Sequence, residues 1–162
     1  MLNTKLLAAF AGVALLAACN TPPAQTTNGN GNGNGGTTQA SGATPGSQED
    51  LVAKGIDRVF FSTAASNLST DARGTLDSQV AFFTQYAQDN IEVSGNCDER
   101  GTTEYNIALG QRRANSARDY LVAKGVAGSR IQTISYGKDR PTATGSDESA
   151  WQQNRNAITS VR

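Results

Sequence analysis

The C-terminal part of the chain, residues 51–162, predicts an α/β fold, an α+β sandwich with helices packed on one face of a mixed four-stranded sheet. Short β-branched and aromatic runs alternate there with longer segments whose apolar residues recur every three or four positions. Glycines and small polar residues stand at the joints between them. The stretch is also the right size for one domain with one core, and no second domain fits.

Val59-Phe-Phe61 is the first strand, beginning near Asp57. A helix follows from about Ser69. Within it Leu76, Val80, Phe83 and Ala87 repeat at helical spacing as the buried face, Asp77, Ser78, Gln85 and Gln88 point outward, and Gly74 weakens the first turns. Ile91-Glu-Val-Ser is the second strand. After the Gly95–Gly101 loop a second long helix is capped by Thr102 or Thr103, with Glu104 at its positive end, and stops at Lys124-Gly125. Arg130 to Tyr136 alternates as a third strand closed by Gly137. Asp147 to Gln153 is a short helix with Trp151 packed inward, and Asn156 to Val161 is the last strand. The order is βαβαβ(α)β, and periodicity alone leaves the arrangement of strands in the sheet open.

The candidate site lies where the loop meets the second helix. Asn106, Leu109, Gly110 and Arg113 fall at i, i+3, i+4 and i+7 and share one stripe. Helical side chains lean toward the N-terminus, so Arg113 reaches back toward Asp98 in the loop. An aspartate and an arginine across a small gap suit a ligand bearing an ammonium and a carboxylate, the arginine fork taking the carboxylate bidentately. Taken singly, Asp98 is a loop carboxylate of the kind that caps a helix, and Arg113 is a surface charge over apolar neighbours. Small residues at Gly110 and Ala114 let another surface approach the helix, and Leu109 supports the site from the core side.

The N-terminus carries a separate signal. Met1 to Lys5 is short and basic, Leu6 to Ala18 is apolar, and the run ends Leu16-Ala-Ala-Cys19. This is a signal peptide over residues 1–18, too short for a membrane span of roughly 20 residues. Its end resembles the lipobox of bacterial lipoproteins, which implies lipidation of Cys19 and a firm multi-acyl, palmitate-type anchor. Asn20, and not aspartate, follows it, which points to the outer membrane. Residues 19–50 are a Gly/Asn/Thr-rich segment with almost no large apolar residue, read as a disordered tether.

Composition excludes much. The chain has no histidine, which removes Ser-His-Asp triads, Cys-His dyads and histidine-bound zinc. Asp98 and Glu99 are adjacent, and neighbouring loop residues seldom aim into one site as acid and base, so a glycoside-cleaving enzyme is the weakest reading. Fourteen basic residues balance fourteen acidic ones, and losing Lys5 with the leader leaves a slight acidic excess, against nucleic acid as a partner. Arg112, Arg113, Arg118 and Arg130 read mostly as solvated helix-face charges. With Cys19 lipidated, Cys97 has no intramolecular partner and reads as a small buried thiol. No cofactor or metal is implied.

Gly95-Asn-Cys-Asp-Glu-Arg-Gly-Thr, Glu104-Tyr-Asn and Leu109-Gly-Gln-Arg-Arg-Ala-Asn together resemble the OmpA-like peptidoglycan-binding domain family, and within it the peptidoglycan-associated lipoproteins. The resemblance runs from Val59 to the C-terminus. It implies that Asp98 and Arg113 hold the ammonium and carboxylate of diaminopimelate in the peptidoglycan stem peptide, with Asn106 and Ser62 as further ligand contacts and Leu109, Gly110 and Ala114 supporting. It also implies a lipoprotein tying the outer membrane to the cell wall, with TolB and other Tol proteins as partners and a role in cell division. The chain departs from the family at three places. Ser62 stands where an aspartate is usual, Asn96 where a histidine is usual, and Asn156 where a second arginine is expected. A rival reading is a divergent member with weak wall affinity that works mainly by binding proteins.

Overall fold

A computed structural model describes residues 42–162. The signal peptide, Cys19 and the tether as far as residue 41 lie outside the described residues. The elements are α1 (Gln48–Ala53), β1 (Arg58–Phe60), α2 (Thr70–Gln85), β2 (Ile91–Asn96), α3 (Thr103–Ala123), β3 (Ile131–Gly137), α4 (Glu148–Asn154) and β4 (Asn156–Val161), with one 3-10 turn, Gly128–Arg130, before β3. The sheet order is β1-β4-β2-β3. β2 and β3 run parallel, and β4 is antiparallel to both β2 and β1.

The parallel β2–β3 pair needs a crossover, and α3 supplies it, which is why the longest helix lies over the β2–β3 half of the sheet. Val59, Phe61, Ile91, Val93, Ile131 and Ala157 form a single core with Leu76, Phe83, Ala114, Ala117 and Leu121. Each fully buried Leu or Phe contributes about 1.5–3 kcal/mol relative to exposure, so this layer holds α2 and α3 to one face. Strand residues of the opposite parity turn away, and Phe60 and Ile134 remain exposed on that side.

The helix ends follow local chemistry. Ser69, Thr102 and Asp147 each accept a backbone N–H of the helix they cap. Gly125, with φ of +105°, ends α3 in the left-handed region that glycine tolerates best.

Four expectations change. Ala87 is exposed because α2 stops at Gln85, and the buried face is Ala72, Leu76, Gln79, Phe82 and Phe83. Gln79 is wholly buried, donating to the Ile56 carbonyl at 2.6 Å and accepting from the Thr159 hydroxyl at 2.9 Å. Arg130 is no helix-face charge: its guanidinium donates to the carbonyls of Phe83, Tyr86 and Asp89, closing the C-terminal end of α2. Trp151 is only half-buried and lies on the surface beside the 98–101 loop. The short helix α1 begins inside the residues read as tether, at Gln48, and crosses into the expected domain, whose first residue, Leu51, is fully buried in the core.

Candidate ligand-binding site

The end of β2, the loop after it and the first turns of α3 enclose a cavity of about 160 Å³. It is lined by Thr63 and Ala64 from the β1–α2 loop, by Cys97, Asp98, Arg100 and Gly101, and by Tyr105, Asn106, Leu109 and Arg113 of α3. Next to it, α3 approaches the sheet closely. Gly95 and Gly110 face each other so tightly that a Cβ on Gly95 would stand 1.8 Å from the Gly110 carbonyl oxygen. The surface that Gly110 and Ala114 admit is therefore the chain's own sheet, and both residues are buried in its packing.

Arg113 is wholly buried. Its Nε donates to the Ala65 carbonyl at 2.8 Å, Nη1 to the Asn96 carbonyl at 2.8 Å and to Cys97 Sγ at 3.5 Å, and Nη2 to the Ser62 carbonyl at 3.1 Å. Of five donor hydrogens one, on Nη2, stays uncommitted among the described residues. The expected two-pronged grip on a carboxylate is thus reduced to one charge-assisted hydrogen bond plus the field of the guanidinium. Burial pushes Arg113 below the ordinary guanidinium range, opposed by the Cys97 and Asp98 charges. Arginine nonetheless stays charged in proteins. The Phe61 ring lies under it, 5.2 Å from centroid to guanidinium carbon.

Asp98 is buried and occupied. Arg100 reaches both of its oxygens, Nε to Oδ1 at 3.2 Å and Nη2 to Oδ2 at 2.7 Å, and the Arg100 backbone N–H donates to Oδ1 at 3.2 Å. Arg155 Nη1 approaches Oδ2 at 3.4 Å. Burial alone would raise the Asp98 pKa, but the Arg100 hydrogen bonds and charge, joined by Arg155, hold it below the usual carboxylate range. Burial likewise pushes the Cys97 thiol up, which makes it an inert floor to the cavity.

Asn106 is buried and donates to the Arg100 carbonyl at 2.8 Å, so it shapes the loop from beneath while lining the cavity. Leu109 lines the same cavity. Ser62 does not: it borders a larger groove of about 660 Å³ between β1 and the start of α2, and its link to the site is the carbonyl that Arg113 holds.

Two of the departures meet in space. Asn156 Nδ2 donates to the Gln153 carbonyl and to Thr142 Oγ1, which turns its Oδ1 toward Asn96, and Asn96 Nδ2 donates to it at 2.8 Å. Asn96 Oδ1 is left buried without a partner among the described residues. The backbone carbonyl of the same Asn96 receives Arg113.

Two site features escaped sequence reasoning. Arg155 is 5 % exposed and joins Asp98, the Phe61 carbonyl at 3.2 Å and Glu148 at 2.7 Å, tying α4 to the loop and to β1. The one available signal is a charged residue between the end of α4 and the start of β4. Ala64, at the cavity mouth, has φ of +54°, a conformation unusual for a residue with a Cβ and one that no sequence signal marks.

Residues 60–155 match the model of the OmpA family. A peptidoglycan-associated lipoprotein from Mesorhizobium japonicum is 54% identical over 75% of this chain and 73% of its own length. One from Pasteurella multocida is 37% identical over 96% of this chain and 95% of its own. Among solved structures, the peptidoglycan-associated lipoprotein from Burkholderia pseudomallei superposes with a TM-score of 0.63 at 36% identity, covering 65% of this chain and 90% of that one. The C-terminal domain of Helicobacter pylori MotB shares the fold, with a TM-score of 0.61 at 18% identity over 65% of this chain and 84% of its own.

Proposed function

The chain belongs to the OmpA family and stands among its peptidoglycan-associated lipoproteins, and from that premise we propose that it binds the diaminopimelate stem peptide of peptidoglycan non-covalently and ties the outer membrane to the wall. The side-chain ammonium of diaminopimelate pairs with Asp98 and the carboxylate on the same carbon with Arg113, while Asn106 and the Ser62 carbonyl hold the walls of the site in place. Cys19 carries the lipid, and Tol proteins, TolB among them, are the partners in the periplasm.

The observation that supports this reading is that a buried carboxylate and a buried guanidinium line one small cavity without pairing to each other. Opposite charges held apart by the fold form a receptor for a zwitterionic centre, since a ligand with one charge satisfies only half of it. Nothing in the proposal requires a bond to be made or broken. Modest affinity per site suffices, because many copies on one membrane facing one polymer add avidity.

Co-sedimentation with purified sacculi tests it. Wild-type protein should pellet, free meso-diaminopimelate should release it, and Asp98→Asn and Arg113→Lys should stay in the supernatant while keeping the circular dichroism of the wild type. Undiminished pelleting of both variants would overturn the assignment.

A further inference from the structure

Asp98 carries two guanidinium partners of different kinds. Arg155 is 5 % exposed and held by three separate parts of the chain, the Phe61 carbonyl, Asp98 and Glu148. Arg100 is different. Its side chain is 40% exposed, it lies on a loop, and its remaining contact is a stack on the Trp151 ring at 4.2 Å from the centroid. Trp151 is itself half-buried on α4, where its indole N–H donates to Glu99 at 3.1 Å.

Arg100 also lines the cavity next to Asp98. Its two-pronged contact covers both carboxylate oxygens, which are the atoms an incoming ammonium needs. A carboxylate offers about four lone-pair positions, and here three Arg100 donors and one Arg155 donor already point at them.

Resting on the wall-binding reading, we infer that Arg100 is an internal occupant of the ammonium half of the site, a cation that the ligand's ammonium displaces from Asp98. Binding is then an exchange of one cation for another at a fixed carboxylate. Arg155 keeps Asp98 oriented and charged throughout, and Arg100 swings out from over Trp151 when the ligand enters. The exchange sets the ammonium specificity of the site. A group that cannot compete with a guanidinium leaves Arg100 in place, and the affinity of those that can is held down by the contact they replace.

The exchange reports on itself, because Trp151 is the only tryptophan in the chain and stacks directly on the displaced group. Purified protein is titrated with a stem tripeptide ending in meso-diaminopimelate, with binding followed by calorimetry and Trp151 emission recorded in parallel. The wild type should show a saturable emission change with the calorimetric midpoint. Arg100→Gln should bind about fivefold more tightly, the worth of a well-formed but part-exposed ion pair, and its Trp151 emission should not respond. Calorimetric binding with constant wild-type emission, or weaker binding by Arg100→Gln, would refute the exchange while leaving the wall-binding site intact. Absence of calorimetric binding in both proteins would instead remove the wall-binding reading and the exchange with it.

Discussion

Gly95→Ala should be among the most damaging single-methyl additions to this fold. The added Cβ would lie 1.8 Å from the Gly110 carbonyl oxygen and 2.5 Å from its carbonyl carbon, both backbone atoms of α3. Real Cβ atoms do not approach closer than 3.0 Å, so the helix must retreat from β2 by about 1.2 Å or the strand must buckle. No side-chain rotation relieves the clash, and the helix that retreats is the one that closes the core through Ala114, Ala117 and Leu121. Overpacking of this kind costs about 1–3 kcal/mol, and a backbone-to-backbone clash belongs at the top of that range. A loss of about 3 kcal/mol corresponds to a fall in Tm of roughly 10–20 °C for a domain this size. Gly74→Ala is the matched control. It sits in the exposed part of α2 with nothing within 4 Å of its Cβ, and it should stabilise by about 0.5–1 kcal/mol through helix propensity. Urea unfolding of both variants beside the wild type measures the pair. If Gly95→Ala unfolds at the wild-type midpoint, the close packing of α3 on β2 is wrong.

Acid should act through Asp98. Its folded-state pKa lies below the usual aspartate value, so its stabilising contribution is complete above about pH 4 and is lost as pH falls toward the lower folded value. Unfolding free energy measured from pH 6 down to 2 should therefore bend more steeply in the wild type than in Asp98→Asn, and parallel curves would refute the pairing with Arg100 and Arg155. The Asn96–Asn156 bond predicts non-additivity. Asn96→Leu and Asn156→Leu each strand a buried amide at a cost of about 1–3 kcal/mol, and the double variant should lose clearly less than the two losses combined. Strict additivity in a denaturation cycle would mean that the two side chains do not meet.

What was legible in the sequence was local. The capping of α3 by Thr102, its stop at Gly125 and the span of β4 depend on neighbours a few residues away, and each appears where the sequence places it. The misplaced face of α2 has a non-local cause. Apolar spacing carries on to Ala87, but Arg130, 41 to 47 residues downstream, binds the last carbonyls and helps close the helix earlier. Trp151 misled for a related reason: an aromatic residue in a short amphipathic helix usually packs inward, but here it stacks with Arg100 and donates to Glu99 at the surface. The motif placed Asp98, Asn106, Leu109 and Arg113 around one cavity but said nothing of Arg155, whose partner Asp98 is 57 positions away. Nor could it show that Asn96 and Asn156, two departures 60 positions apart, bond to each other.

Arg113 and Asp98 differ in a way that bears on every test of the site. Arg113 binds carbonyls at Ser62, Ala65 and Asn96, so one guanidinium joins the β1–α2 loop, the end of β2 and α3. Removing it would strand three buried or part-buried acceptors, and loss of the anion handle could not be separated from loosening of the cavity that contains it. Asp98 lies in a loop, keeps its backbone position without its charge and faces Arg100, which has Trp151 to rest on. On the proposed function, the neutral isostere at Asp98 should therefore remove ligand recognition with the least damage to the fold, whereas Arg113 would be both a proposed ligand contact and the tie that holds its surroundings together. Wall binding that fails in Asp98→Asn and in Arg113→Lys, with stability reduced more in the second than in the first, would be the signature of that division.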